Sequence, residues 1–147
     1  MKKFLIFLVF SVISPFVIAS EWMYVFSSDT EKYYADLESF EKVNSYNDDL
    51  IKGWFKLEIF NDIEKDGLGV GDKTLVMYNF DCKFKKLGIA QGTRYKNNKP
   101  FGTSLSDPNP NMKYVIPDSI GAEILRQACS ICRIQTGTAS YMKAVEK

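Results

Sequence analysis

The chain has 147 residues, of which 46% are hydrophobic, 14% aromatic and 25% charged, enough apolar material for one domain with a core. Its 19 basic and 18 acidic residues give none of the basic excess that a dedicated nucleic-acid binder shows. Histidine is absent and cysteine occurs three times, which excludes Ser-His-Asp and Cys-His catalysis, histidine proton shuttles and zinc sites that use histidine.

Lys2 and Lys3 open the chain, an apolar run from Phe4 to Ile13 is broken only by Ser11, and Pro15 ends it. Val17-Ile18-Ala19 places compact residues before a cut after Ala19. The pattern predicts a signal peptide over 1–19, its apolar run too short for a membrane span. No cysteine follows Ala19 to take a lipid. Cleavage leaves 128 residues with 17 basic and 18 acidic side chains. The expected product is a soluble exported protein, and export makes disulfides the default use of cysteine.

Strand-like segments follow. Trp22, Tyr24 and Phe26 alternate with Met23 and Val25, and a second run covers Lys32–Asp36. Phe40–Tyr46 is a third candidate. Leu50–Phe60 carries Ile51, Gly53, Phe55, Leu57 and Ile59 on one alternating set and Trp54 on the other. Lys73–Cys82 sets Val76, Tyr78, Phe80 and Cys82 against Leu75, Met77, Asn79 and Asp81, and Phe84–Tyr95 is the last strand expected. Aromatic and β-branched residues at period two suit a half-buried pleated surface.

Breakers separate these runs. Asn47-Asp48-Asp49 and Asp66–Asp72 read as turns, Asn97-Asn98-Lys99-Pro100 closes the last strand, and Ser106–Asn111 reads as a surface loop with two prolines. Gly67, Gly69 and Gly71 resemble a phosphate loop only in spacing. No Lys-Ser/Thr pair and no helix follow, so a hairpin loop is expected.

The period then changes. Pro117-Asp118-Ser119 is a helix-start signal with Glu123 in the first turn. Ile120, Ile124, Leu125 and Ala128 share one apolar face, Arg126 and Gln127 point away, and Cys129 ends the helix. Residues 133–147 are expected to form a tail, with a short helix or partial mobility. The expected fold class is α+β: an antiparallel sheet of about six strands with a packed C-terminal helix. The domain organisation is 1–19 signal peptide, 20–132 folded domain and 133–147 tail.

Cys82 ends a strand and Cys129 ends the helix. A bridge between them staples helix to sheet and closes a loop of 48 residues, worth about 4 kcal/mol in the chain-entropy model. The alternative is a redox pair in Cys129-Ser130-Ile131-Cys132. A reactive pair sits at a helix N-terminus, where the dipole lowers the thiol pKa, whereas this one is expected after a helix. Cys132 stays outside the first bridge, open to pairing between chains or to competing with Cys129 for Cys82.

Several segments carry a family resemblance. Trp22–Ser28, then Tyr33-Tyr34-Ala35-Asp36 followed by Ser39-Phe40, resembles the opening of the surface-adhesin protein E family. Trp54-Phe55-Lys56, Tyr78–Cys82, Tyr95 and Val115–Gly121 leading to Ile124-Leu125 and Cys129 continue the match in order over about residues 22–129. The resemblance implies an antiparallel sheet with a C-terminal helix, a bridge equivalent to Cys82–Cys129, and a bacterial envelope protein of the periplasm or cell surface. It further implies an adhesin binding host matrix and serum proteins such as vitronectin and laminin. No ligand-binding residue carries over, because no short motif marks one. The family's adhesin is lipid-anchored, and this chain lacks the cysteine that such an anchor uses.

Charge is unevenly spread. Lys83, Lys85, Lys86, Arg94, Lys96 and Lys99 occur without an acid between them, whereas residues 29–66 hold eleven acids and five bases. With Phe84 and Tyr95 interleaved, Lys83, Lys85, Lys86, Arg94 and Lys96 are the candidate partner-binding residues. They suit an acidic protein segment, a sulfated glycan or a lipid headgroup, while an ordinary solvated sheet face is the plainer reading. Among carboxylates, Asp36, Glu38, Asp48 and Asp49 are the ones folding could pair, and nothing marks them as a site. No enzyme, catalytic residue, metal or cofactor is expected, and the partner is expected to be a protein rather than a nucleic acid. The alternative is a periplasmic inhibitor or structural module using Thr103–Met112 as its contact loop.

Overall fold

The computed structural model describes residues 21–43, 49–63 and 66–145, with side chains to residue 137. The signal-peptide reading over 1–19, positions 44–46 of the expected third strand, and Asn47-Asp48 lie outside the described residues.

Among the described residues, one antiparallel sheet holds eight strands. Six run side by side: β1 (Trp22–Ser27), β2 (Glu31–Asp36), β4 (Leu50–Ile59), β5 (Lys73–Asp81), β6 (Lys86–Lys96) and β7 (Lys99–Ser106). The short β3 (Glu41–Lys42) extends β2's side of β4, and β8 (Lys113–Tyr114) pairs with the start of β6. Helix α1 (Ile120–Val145) follows the last strand. The architecture is α+β, as the order of strands followed by helix implies.

Period two decides which face is buried. Tyr33, Ala35, Ile51, Phe55, Val76, Tyr78 and Phe80 project to one side and pack against Ile124, Leu125, Ala128 and Ile131 of α1. Phe55 is fully buried and meets Phe40, Tyr78 and Phe80 edge-on, with ring centroids 5.9, 6.0 and 5.9 Å away. Offset and edge contacts of this kind add to the area term because ring edge and ring face carry opposite partial charge. Gly53 is required here: a Cβ at this position would lie 2.6 Å from the Phe40 ring.

The Cys82–Cys129 disulfide ties β5's end to α1, with Cα atoms 5.9 Å apart. Ser119 caps the helix, its hydroxyl accepting from the Ala122 amide at 3.2 Å. The glycine loop at 66–72 joins β4 to β5, with Gly67 and Gly71 at φ +95° and +87°, and opens no helix.

Two expectations are corrected. The helix does not end at Cys129 but runs 26 residues to Val145, through most of the expected tail. Ser130 and Thr136 disguise this continuation in the sequence. Their hydroxyls donate to the carbonyls of Arg126 and Cys132, four residues back, and so stay satisfied inside the helix. The Gln135 amide also donates to the Leu37 carbonyl at 2.6 Å, anchoring this part of α1 to the turn after β2. Cys129 and Cys132 therefore lie within a helix, not beyond one. The second correction is β7. Asn97 and Asn98 adopt φ +50° and +61°, making a two-residue hairpin turn that leads into a further strand. Pro100 is tolerated there because β7 is an edge strand, where one side of the ladder needs no donor. Thr103–Ser106, read as part of a contact loop, belong to this strand.

Candidate binding surfaces

The nominated basic residues separate into two groups. Lys83, Lys85 and Lys86 cluster at the β5–β6 turn, and Arg94 and Lys96 lie toward the other end of β6 beside Lys99. Lys86 and Lys96 are the two ends of that strand, about 33 Å apart at 3.3 Å per residue. A count along the chain makes one basic segment, but an extended strand makes two sites.

At the far end the cations have partners within the chain. Arg94 pairs with Asp66 at 3.7 Å. Lys96 donates to the Gly67 carbonyl at 2.7 Å and lies over the Phe101 ring at 5.5 Å. Asp72 organises this end: its carboxylate accepts from the Asn97 amide at 2.8 Å and the Gly69 amide at 2.9 Å. These backbone donors, Asn97 first, hold its pKa below the usual carboxylate range. The β4–β5 loop and the β6–β7 turn are thereby joined.

The disulfide end differs. The Asp81 carboxylate accepts from the Phe84 amide at 2.8 Å and shapes the turn, and Lys85 takes φ +53°. A groove of about 380 Å³ opens between this turn, the 115–117 segment and α1. Val115, Pro117, Ala122, Leu125 and the disulfide line it, with Lys85, Arg126 and Arg133 around them. Phe84, Tyr114, Ile116 and Ile120 stand exposed nearby, and Lys86 lies over the Tyr114 ring at 4.5 Å. Arg126 is also hydrogen-bonded to Glu123, which pulls the Glu123 carboxyl below its ordinary value.

A third surface escaped the sequence reading. The residues alternating with the core set form the sheet face opposite α1. Trp22 and Tyr24 on β1, Lys32 and Tyr34 on β2, Trp54, Lys56 and Glu58 on β4, and Lys73, Leu75 and Met77 on β5 share it. Lysines lie over its rings: Lys56 at 4.2 Å from Tyr34 and 5.2 Å from Trp22, Lys32 at 5.8 Å from Phe60, and Lys73 at 6.0 Å from Tyr95. Partial burial lowers the Lys56 pKa, opposed by the Glu58 carboxylate and reinforced by the Lys73 charge. The period-two pattern that finds the core also encodes this face, once the second alternating set is read for chemistry.

Tyrosine chemistry on the core side is structural. The Tyr33 hydroxyl donates to Glu31 at 2.7 Å, and burial raises its pKa well above the ordinary value, while burial pushes Tyr78 up to about 12. Among the described residues, no group of three or more Cys, Asp or Glu side chains comes together as a metal site. No described helix is long and apolar enough to cross a membrane.

A single antiparallel sheet, one face closed by a disulfide-stapled helix and the other left open by the described residues, defines an α+β domain built around exposed surfaces. The model of the surface-adhesin protein E family matches residues 22–130, and the chain belongs to that family. No curated protein and no solved structure matches the chain. Membership implies an exported or surface-located, adhesin-like protein with a binding role.

Proposed function

We propose that this protein is a bacterial envelope binding protein, not an enzyme, that docks an acidic segment of a host matrix or serum protein at its disulfide end. The observation carrying this reading is the groove beside Cys82–Cys129, where apolar lining and exposed aromatic side chains meet Lys85 and Arg133, with Arg126 paired to Glu123 at its edge. Aromatic and arginine side chains around an apolar centre are the usual source of binding energy between proteins, and the basic rim favours an acidic partner. Of the five nominated cations, Lys83, Lys85 and Lys86 fit this role. Arg94 and Lys96 serve the far end's own loops.

The test has two parts. Protease treatment of whole cells, with a periplasmic marker as control, is expected to cleave the protein at the surface. Protection until the outer membrane is opened would overturn host adhesion and leave a periplasmic module. Binding to immobilised vitronectin and laminin is expected to fall for Lys85→Glu combined with Lys86→Glu, with folding checked by circular dichroism. Unchanged binding in that variant removes the disulfide end as the docking site.

A further inference from the structure

We infer that the sheet face opposite α1 is a second binding site, for an anionic polysaccharide: Lys32, Lys56 and Lys73 take its sulfate or carboxylate groups, and Trp22, Tyr24 and Tyr34 its sugar rings. The register fixes the layout. Lys32 on β2 and Lys73 on β5 both stand opposite Glu58 on the intervening β4, and Lys56 lies two residues along from Glu58. Strand spacing puts the backbones of Lys32 and Lys73 about 10 Å apart. Lys56 is a diagonal neighbour of each, at about 7–8 Å. Three cations thus surround one carboxylate, leaving a net positive triangle on a rigid base.

Each of these lysines is already placed. Lys56 lies over Tyr34 and Trp22, Lys32 over Phe60, and Lys73 over Tyr95 while donating to the Asn98 side chain at 2.9 Å. A lysine held over a ring has less rotamer freedom to lose when an anion arrives, so binding costs less ordering. The rings contribute separately. An aromatic face is electron-rich and attracts the partly positive C–H groups of a sugar ring. Tyr24 is 54% exposed beside Tyr34, with centroids 5.8 Å apart.

The backbone argues against an acidic peptide as the occupant. β2, β4 and β5 each have a strand on both sides, so their ladder groups are engaged and no peptide strand can extend them. The face offers ammonium groups and rings to its ligand, which is the chemistry of a charged glycan. This site is independent of the groove at the disulfide end.

The experiment measures affinity of the purified protein for immobilised heparin, with polyglutamate and a plain cation exchanger in parallel. Lys56→Gln and Lys73→Gln are each expected to weaken heparin binding about threefold, the scale of one partly exposed ion pair. Glu58→Gln is expected to strengthen it by a similar factor, a gain that a folding defect cannot imitate. Trp22→Ala is expected to weaken heparin binding and leave retention on the exchanger unchanged, which separates stacking from charge. Heparin affinity insensitive to Lys56, Lys73 and Glu58, or abolished instead by Lys85→Glu with Lys86→Glu, overturns the proposal. Polyglutamate bound as tightly as heparin also overturns it and gives the face to an acidic protein.

Discussion

The two faces of this sheet are made of alternate residues of the same strands, yet they are built on opposite terms. On one face Phe55, Tyr78 and Phe80 pack ring against ring under α1 in a cluster of buried hydrophobic residues. On the other, Tyr34, Trp22 and Tyr95 have lysine ammonium groups over them. Aromatic residues occur on both, so aromatic content alone distinguishes neither. What differs is the neighbour: apolar side chains where a helix closes the face, cations where it stays open. The first arrangement stabilises the fold, and the second presents charge and rings to a partner.

That division is most directly broken at its centre. Phe55→Ala removes the ring at the middle of the covered face and is expected to cost about 3–5 kcal/mol, as large-to-small core changes do. Denaturant unfolding measures it. A loss under 1 kcal/mol would mean that α1 does not close this core. Removing the staple comes next. Cys129→Ser frees α1 from β5 and is expected to cost up to about 4 kcal/mol, less where the reduced chain keeps structure. In that variant Cys132 stands one helical turn from the vacated position. Mass mapping of peptides after digestion tests whether it takes over Cys82, and a new Cys82–Cys132 bridge with restored stability is the informative outcome.

Gly53→Ala probes the same face more gently. Its Cβ would enter the Phe40 ring at 2.6 Å, and rings shift poorly in a packed core. The expected loss is about 1–3 kcal/mol. Gly92→Ala is the control, because its nearest neighbour would be the Leu105 Cβ at 3.9 Å, an ordinary contact. Equal melting temperatures for the two variants would contradict the close approach of Phe40.

Much of the covered face was legible in the sequence, because period two over Leu50–Phe60 and Lys73–Cys82 selects Ile51, Phe55, Val76, Tyr78 and Phe80, and these are the buried residues. The capping signal at Ser119 and the family resemblance were legible for similar reasons, as local chemistry in fixed order. The missed elements share a cause: tertiary structure overrides weak local signals. β7 contains Pro100, Gly102 and small polar residues and is a strand only because Asn97-Asn98 folds it back onto β6. The part of α1 beyond Cys129 holds Ser130, Thr136 and Gly137, yet the turns before it are fixed by the disulfide and its own residues by the Gln135–Leu37 bond. The candidate site was the least legible part. Charge counted along the chain joined Lys86 to Lys96, whereas three-dimensional neighbours such as Lys32, Lys56 and Lys73 come from three different strands.

A smaller effect is expected at neither face but at the loop end, and it disappears in acid. Two backbone amides hold the Asp72 pKa below its unfolded value. Its contribution to stability is therefore complete above the unfolded carboxylate range, about 3.9, and fades as pH falls through the lower folded value. Asp72→Asn should melt earlier than the wild type near neutral pH, and the gap should close as pH drops below about 4. A gap that widens in acid would reverse the sign and remove the amides as the cause.

The smallest expected effect on stability carries the most weight for the open face. Lys56→Gln leaves Trp22 and Tyr34 in place and keeps most of the side chain's length. Removal of a partly exposed charge over a ring should change stability by no more than about 0.5 kcal/mol. If Lys56 belonged to the fold as Phe55 does, its loss would be read in the unfolding curve. If it belongs to a binding surface, the curve stays still while affinity for a polyanion falls. Lys56 is partly buried and feels Glu58 and Lys73 together, so it is the position on this face where a structural role would show first. A loss above 1 kcal/mol there would make the lysine–aromatic contacts part of what holds β1, β2 and β4 together, and the two faces would no longer differ in kind.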